Sequence, residues 1–220
     1  GTYACADALL EKRVWMEHGT NTTYVRYDLR RGNQPLTLAI KVLVNYRDHH
    51  ANTHAGDWQM RVEPAHNGLR VTAFEGAGPF YLLSDRAEAT SQHRWYRDYF
   101  LSQESYRGLD ALDDNLYAAH VDATLHPGES LTIVASTDAT PKLDGSSAYA
   151  QRQAYEAQLL TQSNLLSLGE GSKDSHTDAP VCVQHLVLAA DQFIVRRALP
   201  DDPDGRSVIA GYPWFGDWGR

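Results

Sequence analysis

The sequence predicts a mainly β protein, an antiparallel β-sandwich over residues 1–142 followed by two helices. Three observations carry this. Apolar residues alternate with period two through the first part of the chain, the mark of half-buried strands. Clusters of Gly, Pro, Asn and Asp separate those runs as turns. Near Ser146 the composition switches to Ala, Gln and Leu without Gly or Pro, which favours helix.

Taken in order, residues 9–18 read as a strand. In 23–30, Val25, Tyr27 and Leu29 share one face and Arg26, Asp28 and Arg30 the other. In 36–44, Leu36, Leu38, Ile40, Val42 and Val44 share a face. The intervening RGNQP reads as a turn, so these two strands are expected to form a hairpin. Further strands are expected at 58–63, 69–74, 79–84, 116–125 and 130–136. HPGE at 126–129 places Pro then Gly at the centre of a type II turn. Residues 146–166 predict a linker helix, with Ala148, Tyr155, Leu159 and Leu166 near one face. GEGSKDSHTD then reads as an exposed connection, so 143–178 is a linker region. A second helix follows, with Asp178 as cap, Pro180 in its first turn and an apolar stripe of Val183, Leu186, Val187, Ala190, Phe193 and Ile194. PDDPDG at 200–205 ends it. One such helix cannot bury its own stripe, so residues 179–220 read as the start of a second domain.

Composition narrows the function. A hydrophobic content of 42% and a charged content of 22% are ordinary for a soluble globular chain. No apolar run approaches the roughly 20 residues that span a bilayer, so no membrane partner is expected. A net charge of −8 with scattered Lys and Arg argues against nucleic acid. Cys5 and Cys182 are far apart and suit no metal motif. Free buried thiols in a cytoplasmic protein are the expectation, and no signal peptide is visible.

Four stretches bear chemistry. NYRDHHANTHAGDW (45–58) gathers Arg47, Asp48, His49, His50, His54 and Asp57. A metal site, a loop lining a ligand cleft and a solvated loop all remain open. The spacing speaks against metal, because His49 and His50 would point opposite ways in an extended chain. HRWYRDYF (93–100) mixes rings and charges, so Trp95 and Tyr96 suit sugar stacking, and a long loop packed over the sandwich is the alternative. DALDDN (110–115) reads as a solvated acidic turn. The closing GYPWFGDWGR (211–220) sets four aromatics around Asp217 and Arg220, with Gly211, Gly216 and Gly219 between them. It reads as a pocket wall suited to a pyranose ring, or as an aromatic plug.

VIAGYPWFGDWGR (208–220) resembles the opening motif of the catalytic domain in bacterial and archaeal glycogen debranching enzymes (amylo-α-1,6-glucosidases). AADQFIVRR (189–197) is similar to the first barrel helix before it. LEKRVWMEHGTNTTYVRY, LVNYRDHH, FYLLSDR, WYRDYF with YRGLD, and HPGESLTIVAST resemble successive pieces of that family's N-terminal β-domain. The resemblance implies a β-supersandwich, a linker helix and the first helix of an (α/α)6 barrel. It implies hydrolysis of α-1,6 branch points by two carboxyl groups, with an α-glucan as substrate and no cofactor. By carry-over, Trp214, Asp217, Trp218 and Arg220 bind substrate, and Arg47, Asp48, His50, Trp95 and Tyr96 are further binding candidates. The family's glycine-rich NGLGG-type and RRYHG-type stretches are missing, and its catalytic acids come from later barrel helices. The chain therefore resembles an internal slice, with the rest of the barrel as its partner. Two other functions compete. One is a carbohydrate-binding sandwich using Trp58, Trp95 and Tyr96 as a platform. The other is a sugar epimerase or mutarotase using His54 or His120 as acid or base.

Overall fold

The structure, a computed structural model, describes residues 1–48, 51–167, 179–209 and 217–219. The expected connection at 169–178 and the Asp178 cap lie outside these residues. Two compact units are present, residues 1–149 and 150–220.

The first unit is a sandwich of two antiparallel sheets. Its strands are β1 (Thr2–Cys5), β2 (Ala8–Met16), β3 (Thr22–Arg31), β4 (Leu36–Val44), β5 (Arg61–Ala65), β6 (Gly68–Thr72), β7 (Phe80–Ser84), β8 (Ala89–Phe100), β9 (Leu112–Leu125) and β10 (Ser130–Ser136). One sheet runs β1-β2-β3-β10-β7-β6-β5 and the other β4-β9-β8. Between them, Leu29, Leu131 and Ile133 meet Val121 and Leu125, and Val71 and Leu82 meet Leu116 and Val44. Pro64 sits on β5, an edge strand, where its missing N–H breaks no ladder.

The expected hairpin of residues 23–30 with 36–44 does not form. β3 pairs with β2 and β10, whereas β4 pairs with β9 in the opposite sheet. Alternation sets which face of a strand is buried but not its neighbour, and here Leu29 faces Leu36 and Leu38 across the core. Residues 32–35 cross from one sheet to the other, with Asn33 N donating to Asp7 Oδ2 at 2.7 Å. The type II turn at 126–129 does form: Gly128 has φ of 89° and Glu129 N donates to His126 O at 2.9 Å.

The polar face expected at Arg26, Asp28 and Arg30 is half covered. Tyr24 on that face is fully buried and stacks on Trp15 with centroids 5.3 Å apart. Val134, Leu83 and Ala148 close this second small core. Ala148 belongs to α2 (Gly145–Ser167), whose first turn Asp144 caps by accepting from Ser146 N and Ser147 N at 2.9 and 3.2 Å. Burial pushes the Tyr24 phenol up to about 12. Arg13 and Arg30 both donate to Glu11, holding its carboxyl at about 2.

Residues 93–100 are strand rather than a loop packed over the sandwich. β8 carries two register shifts against β9, and Asp98, within the second, has φ of 59°. Those bulges break the period-two pattern that marks a strand.

The second unit holds most of α2, α3 (Val181–Asp191) and a small sheet of β11 (Ile194–Arg196), β12 (Arg206–Ile209) and β13 (Asp217–Gly219). α3 is shorter than expected and starts after Pro180 rather than including it. It ends at Asp191, which accepts from Tyr155 Oη at 2.8 Å. Phe193 lies past its end and Ile194 opens β11, so the stretch 189–197 is helix, turn and strand. The β-branched pair Ile194–Val195 favours extended backbone, and pairing with Val208 and Ser207 secures it. PDDPDG links β11 to β12. Both cysteines are exposed rather than buried: Cys5 is on the edge strand β1 and Cys182 in the first turn of α3. No helix among the described residues is long and apolar enough to cross a membrane.

Candidate functional site

At one end of the sandwich, the loop of residues 45–57 is fastened to the start of β9 by carboxylates and amides. Asp113 Oδ1 accepts from Thr53 N at 2.8 Å, and Asp114 Oδ2 accepts from Ala55 N at 2.8 Å. Asp114 Oδ1 accepts from Asp98 N at 2.9 Å, so one carboxylate holds both the loop and the second bulge of β8. These acids are only 6% and 4% exposed. DALDDN is therefore not a solvated turn. Asp113 and Asp114 begin a long buried strand, and backbone N–H groups replace the water they would otherwise bind. The two N–H donors hold the Asp114 carboxyl below the usual carboxylate range.

Two side-chain amides and a guanidinium complete the fastening. Asn45 donates to Asp114 O at 2.9 Å and accepts from Thr53 Oγ1 at 2.5 Å. Asn52 donates to Asp110 O and Leu112 O at 2.7 and 3.0 Å. Arg97 donates to Gly56 O at 3.0 Å. Nothing in the periodicity of residues 45–57 announces these contacts, because most of their partners lie more than fifty positions away. The run of acids in DALDDN was the available signal, and its continuity with the apolar pattern of β9 was the missed clue.

The fastening sets the loop tip. Arg47 Nε lies 3.5 Å from Asp113 Oδ1, and its Nη1 donates to Ala51 O at 2.6 Å. Asp48 follows at the tip, where its carbonyl accepts from Ala51 N at 3.1 Å. His49 and His50 lie outside the described residues. Among the described residues, no three His, Cys, Asp or Glu side chains are grouped to hold a metal ion.

His54 is fixed by Asp110, with Nε2 and Oδ2 2.7 Å apart. The carboxylate raises the His54 pKa from its ordinary 6.5, and the imidazole lowers that of Asp110 from 3.8. The contribution of a raised His is complete below its ordinary value and is lost as pH rises through the raised one. That of a lowered Asp is lost as pH falls through its own lowered value. This latch is therefore expected to be strongest between about pH 4 and 6.5. NMR titration is expected to place His54 above 6.5 and Asp110→Asn to return it there.

Trp95 and Tyr96 are neighbours on a strand and point to opposite faces. Trp95 turns inward, donates from Nε1 to Trp58 O at 3.0 Å and packs 5.5 Å from the Trp58 ring. Both indoles flank the sandwich core, so they do not form an exposed platform. Tyr96 turns to the outer face of the three-stranded sheet. Of the closing motif, the backbone of Asp217 and Trp218 lies in β13, paired with β12. Trp214 and Arg220 lie outside the described residues. His120 is engaged by Tyr117 Oη at 2.7 Å and Asp122 Oδ2 at 3.0 Å. An open depression of about 450 Å³, lined by Asn67, Ser84, Arg86 and Glu88 among others, involves none of these candidates.

The chain matches two known families. Residues 1–132, more than half of the chain, match the family described as glycogen debranching enzyme N terminal. The chain belongs to that family. Residues 188–220 match a second family, amylo-alpha-1,6-glucosidase. Together the matches assign the chain to a glycogen debranching glycoside hydrolase, whose substrate is an α-glucan. The first match thus runs from β1 into β10 and includes the fastened loop, and the glucosidase match covers the closing motif with Trp214, Asp217, Trp218 and Arg220. A search of curated proteins returned no match.

Proposed function

We propose that the chain supplies glucan-binding surface for the hydrolysis of α-1,6-glucosidic branch points. The amylo-alpha-1,6-glucosidase match over residues 188–220 carries this reading, because it contains the aromatic motif with Asp217 and Arg220. In the proposal Trp214 and Trp218 stack on the apolar faces of a glucose ring. Arg220 and Asp217 bind its hydroxyls, and the planar fork of arginine spans two neighbouring ones. Arg47, Asp48 and His50 supply further polar contacts in the proposal, and the contacts of Arg47 with Asp113 and Ala51 keep its guanidinium preorganised.

Hydrolysis needs two carboxyl groups. One, with a raised pKa, protonates the glycosidic oxygen; in an inverting enzyme the other activates a water about 6.5–9.5 Å away. Asp114 does not fit the acid, since its backbone donors push its pKa down, and Asp113 is likewise committed to Thr53 N. No Asp or Glu of this chain is given either role. The partner in the proposal is the helical barrel of the same polypeptide, which brings the acids.

Calorimetric titration of the chain with a maltooligosaccharide bearing one α-1,6 branch tests the binding half. Trp218→Ala and Arg47→Ala are each expected to weaken binding about tenfold, as lost stacking or a lost charged hydrogen bond would. Unchanged affinity in both variants would sink the proposal.

A further inference from the structure

The outer face of the β4-β9-β8 sheet carries two cations that converge on one phenol. The register sets Lys41 opposite His120, and Arg94 opposite Tyr117, with Tyr96 two residues beyond Arg94 on the same face. Lys41 Nζ donates to Tyr96 Oη at 2.9 Å and lies 5.3 Å from the centroid of that ring. The Arg94 guanidinium lies 5.3 Å from the same centroid. Tyr117, mostly buried, meets Tyr96 edge to face at 5.9 Å and backs the group. Cation–ring attraction and the phenol hydrogen bond thus hold two positive charges side by side.

What sets them apart is that both converge on one ring with no counter-charge among the described residues. Most arginines of the sandwich have a carboxylate within 4 Å, as in Arg13–Glu11, Arg26–Asp28 and Arg86–Glu129. Among the described residues, Lys41 and Arg94 have none. Asp122, on the same face as His120, is engaged by His120 Nε2. In a chain of net charge −8, two immobilised and unneutralised cations on one ring are a local exception.

The free donors define the ligand. The Lys41 ammonium has spent one of three N–H groups, and Tyr96 Oη accepts that bond and keeps its own O–H. Arg94 offers its planar fork. Three donor groups and two positive charges complement a group with three terminal oxygens and a charge near −2, which at neutral pH is a phosphomonoester. A carboxylate, with two oxygens and one charge, leaves one cation unmatched. We infer that Lys41, Arg94 and Tyr96 form a binding site for a phosphomonoester, borne either by a small sugar phosphate or by a phosphate ester on a glucan chain. The site shares no residue with the loop and closing motif proposed above and does not depend on them.

Titration of the 220-residue chain by NMR or calorimetry tests this with four probes: inorganic phosphate, glucose 6-phosphate, maltoheptaose, and maltoheptaose carrying one phosphate ester. Saturable binding of the phosphorylated probes that weakens with added salt is expected. Lys41→Gln and Arg94→Gln are each expected to weaken it about tenfold, and Tyr96→Phe by less. Arg47→Ala is expected to leave it unchanged, which separates this site from the loop. Tighter binding of the phosphorylated maltoheptaose than of glucose 6-phosphate assigns the site to a glucan; equal binding assigns it to the small ester. Both exchanged cations are exposed, so thermal melts of the variants are expected to match the parent. The inference is overturned if no phosphorylated probe saturates, if plain maltoheptaose binds here equally well, or if neither cation variant loses affinity.

Discussion

Replacing Asp114 with alanine is expected to remove about 3 kcal/mol of stability and to release the loop of residues 45–57. The carboxylate accepts from Ala55 N and Asp98 N while only 4% exposed. Alanine leaves both N–H groups without their acceptor in a place water reaches poorly, and charged hydrogen bonds of this kind are worth about 1.5–3 kcal/mol each. For a chain of this size the loss corresponds to a melting temperature lower by roughly 6–12 °C. Asparagine is expected to do little better, because one oxygen becomes an NH2 group facing an N–H donor. Because its pKa is lowered in the folded state, Asp114 contributes fully above the ordinary carboxylate range. The contribution fades as pH falls through the lowered value. The difference between parent and variant melts is therefore expected to shrink on acidification below about pH 4. Limited proteolysis should also cut the variant first between residues 45 and 57. A melting temperature within 2 °C of the parent at neutral pH, a shift of only about 1 kcal/mol, would show that the fastening carries little energy.

Gly68→Ala is expected to be nearly as damaging for a different reason. Gly68 opens β6 opposite Leu83, and a Cβ there would come 2.1 Å from the Leu82 carbonyl oxygen and 2.9 Å from Leu83 Cα. Both neighbours are backbone of β7, an interior strand of the seven-stranded sheet, so relief requires β6 and β7 to part. Forced overpacking of this kind costs about 3 kcal/mol. Gly78→Ala serves as the control, because its Cβ would meet nothing within 4 Å. Comparable melts for the two variants would contradict the close approach of β6 to β7.

The sequence by itself determined that the chain is a run of half-buried strands followed by a helix. Alternation in Leu36–Val44, Leu116–Leu125 and Ser130–Ser136 arises because a strand with one wet face must turn every second residue inward, and that signal is local. The turn at His126–Glu129 was legible for the same reason: Pro127 and Gly128 set their own backbone angles. The family and its aromatic motif were legible as well.

Only the tertiary structure decided which strands pair, and why. β3 and β4 carry the right pattern for a hairpin, yet each finds its partners in a different sheet, because burial between two sheets satisfies alternation as well as pairing does. β8 was obscured by its bulges, the second of which is held by Asp114 reaching across from β9. Asp113 and Asp114 are acids that sequence alone sends to solvent. They are buried because backbone donors from residues 53, 55 and 98 converge on them. The same long-range geometry separates Trp95 from Tyr96, sending one ring to the core and the other beneath two unpaired cations. Local pattern settles which face of each element is apolar, whereas electrostatic partners across fifty residues settle what the polar face does.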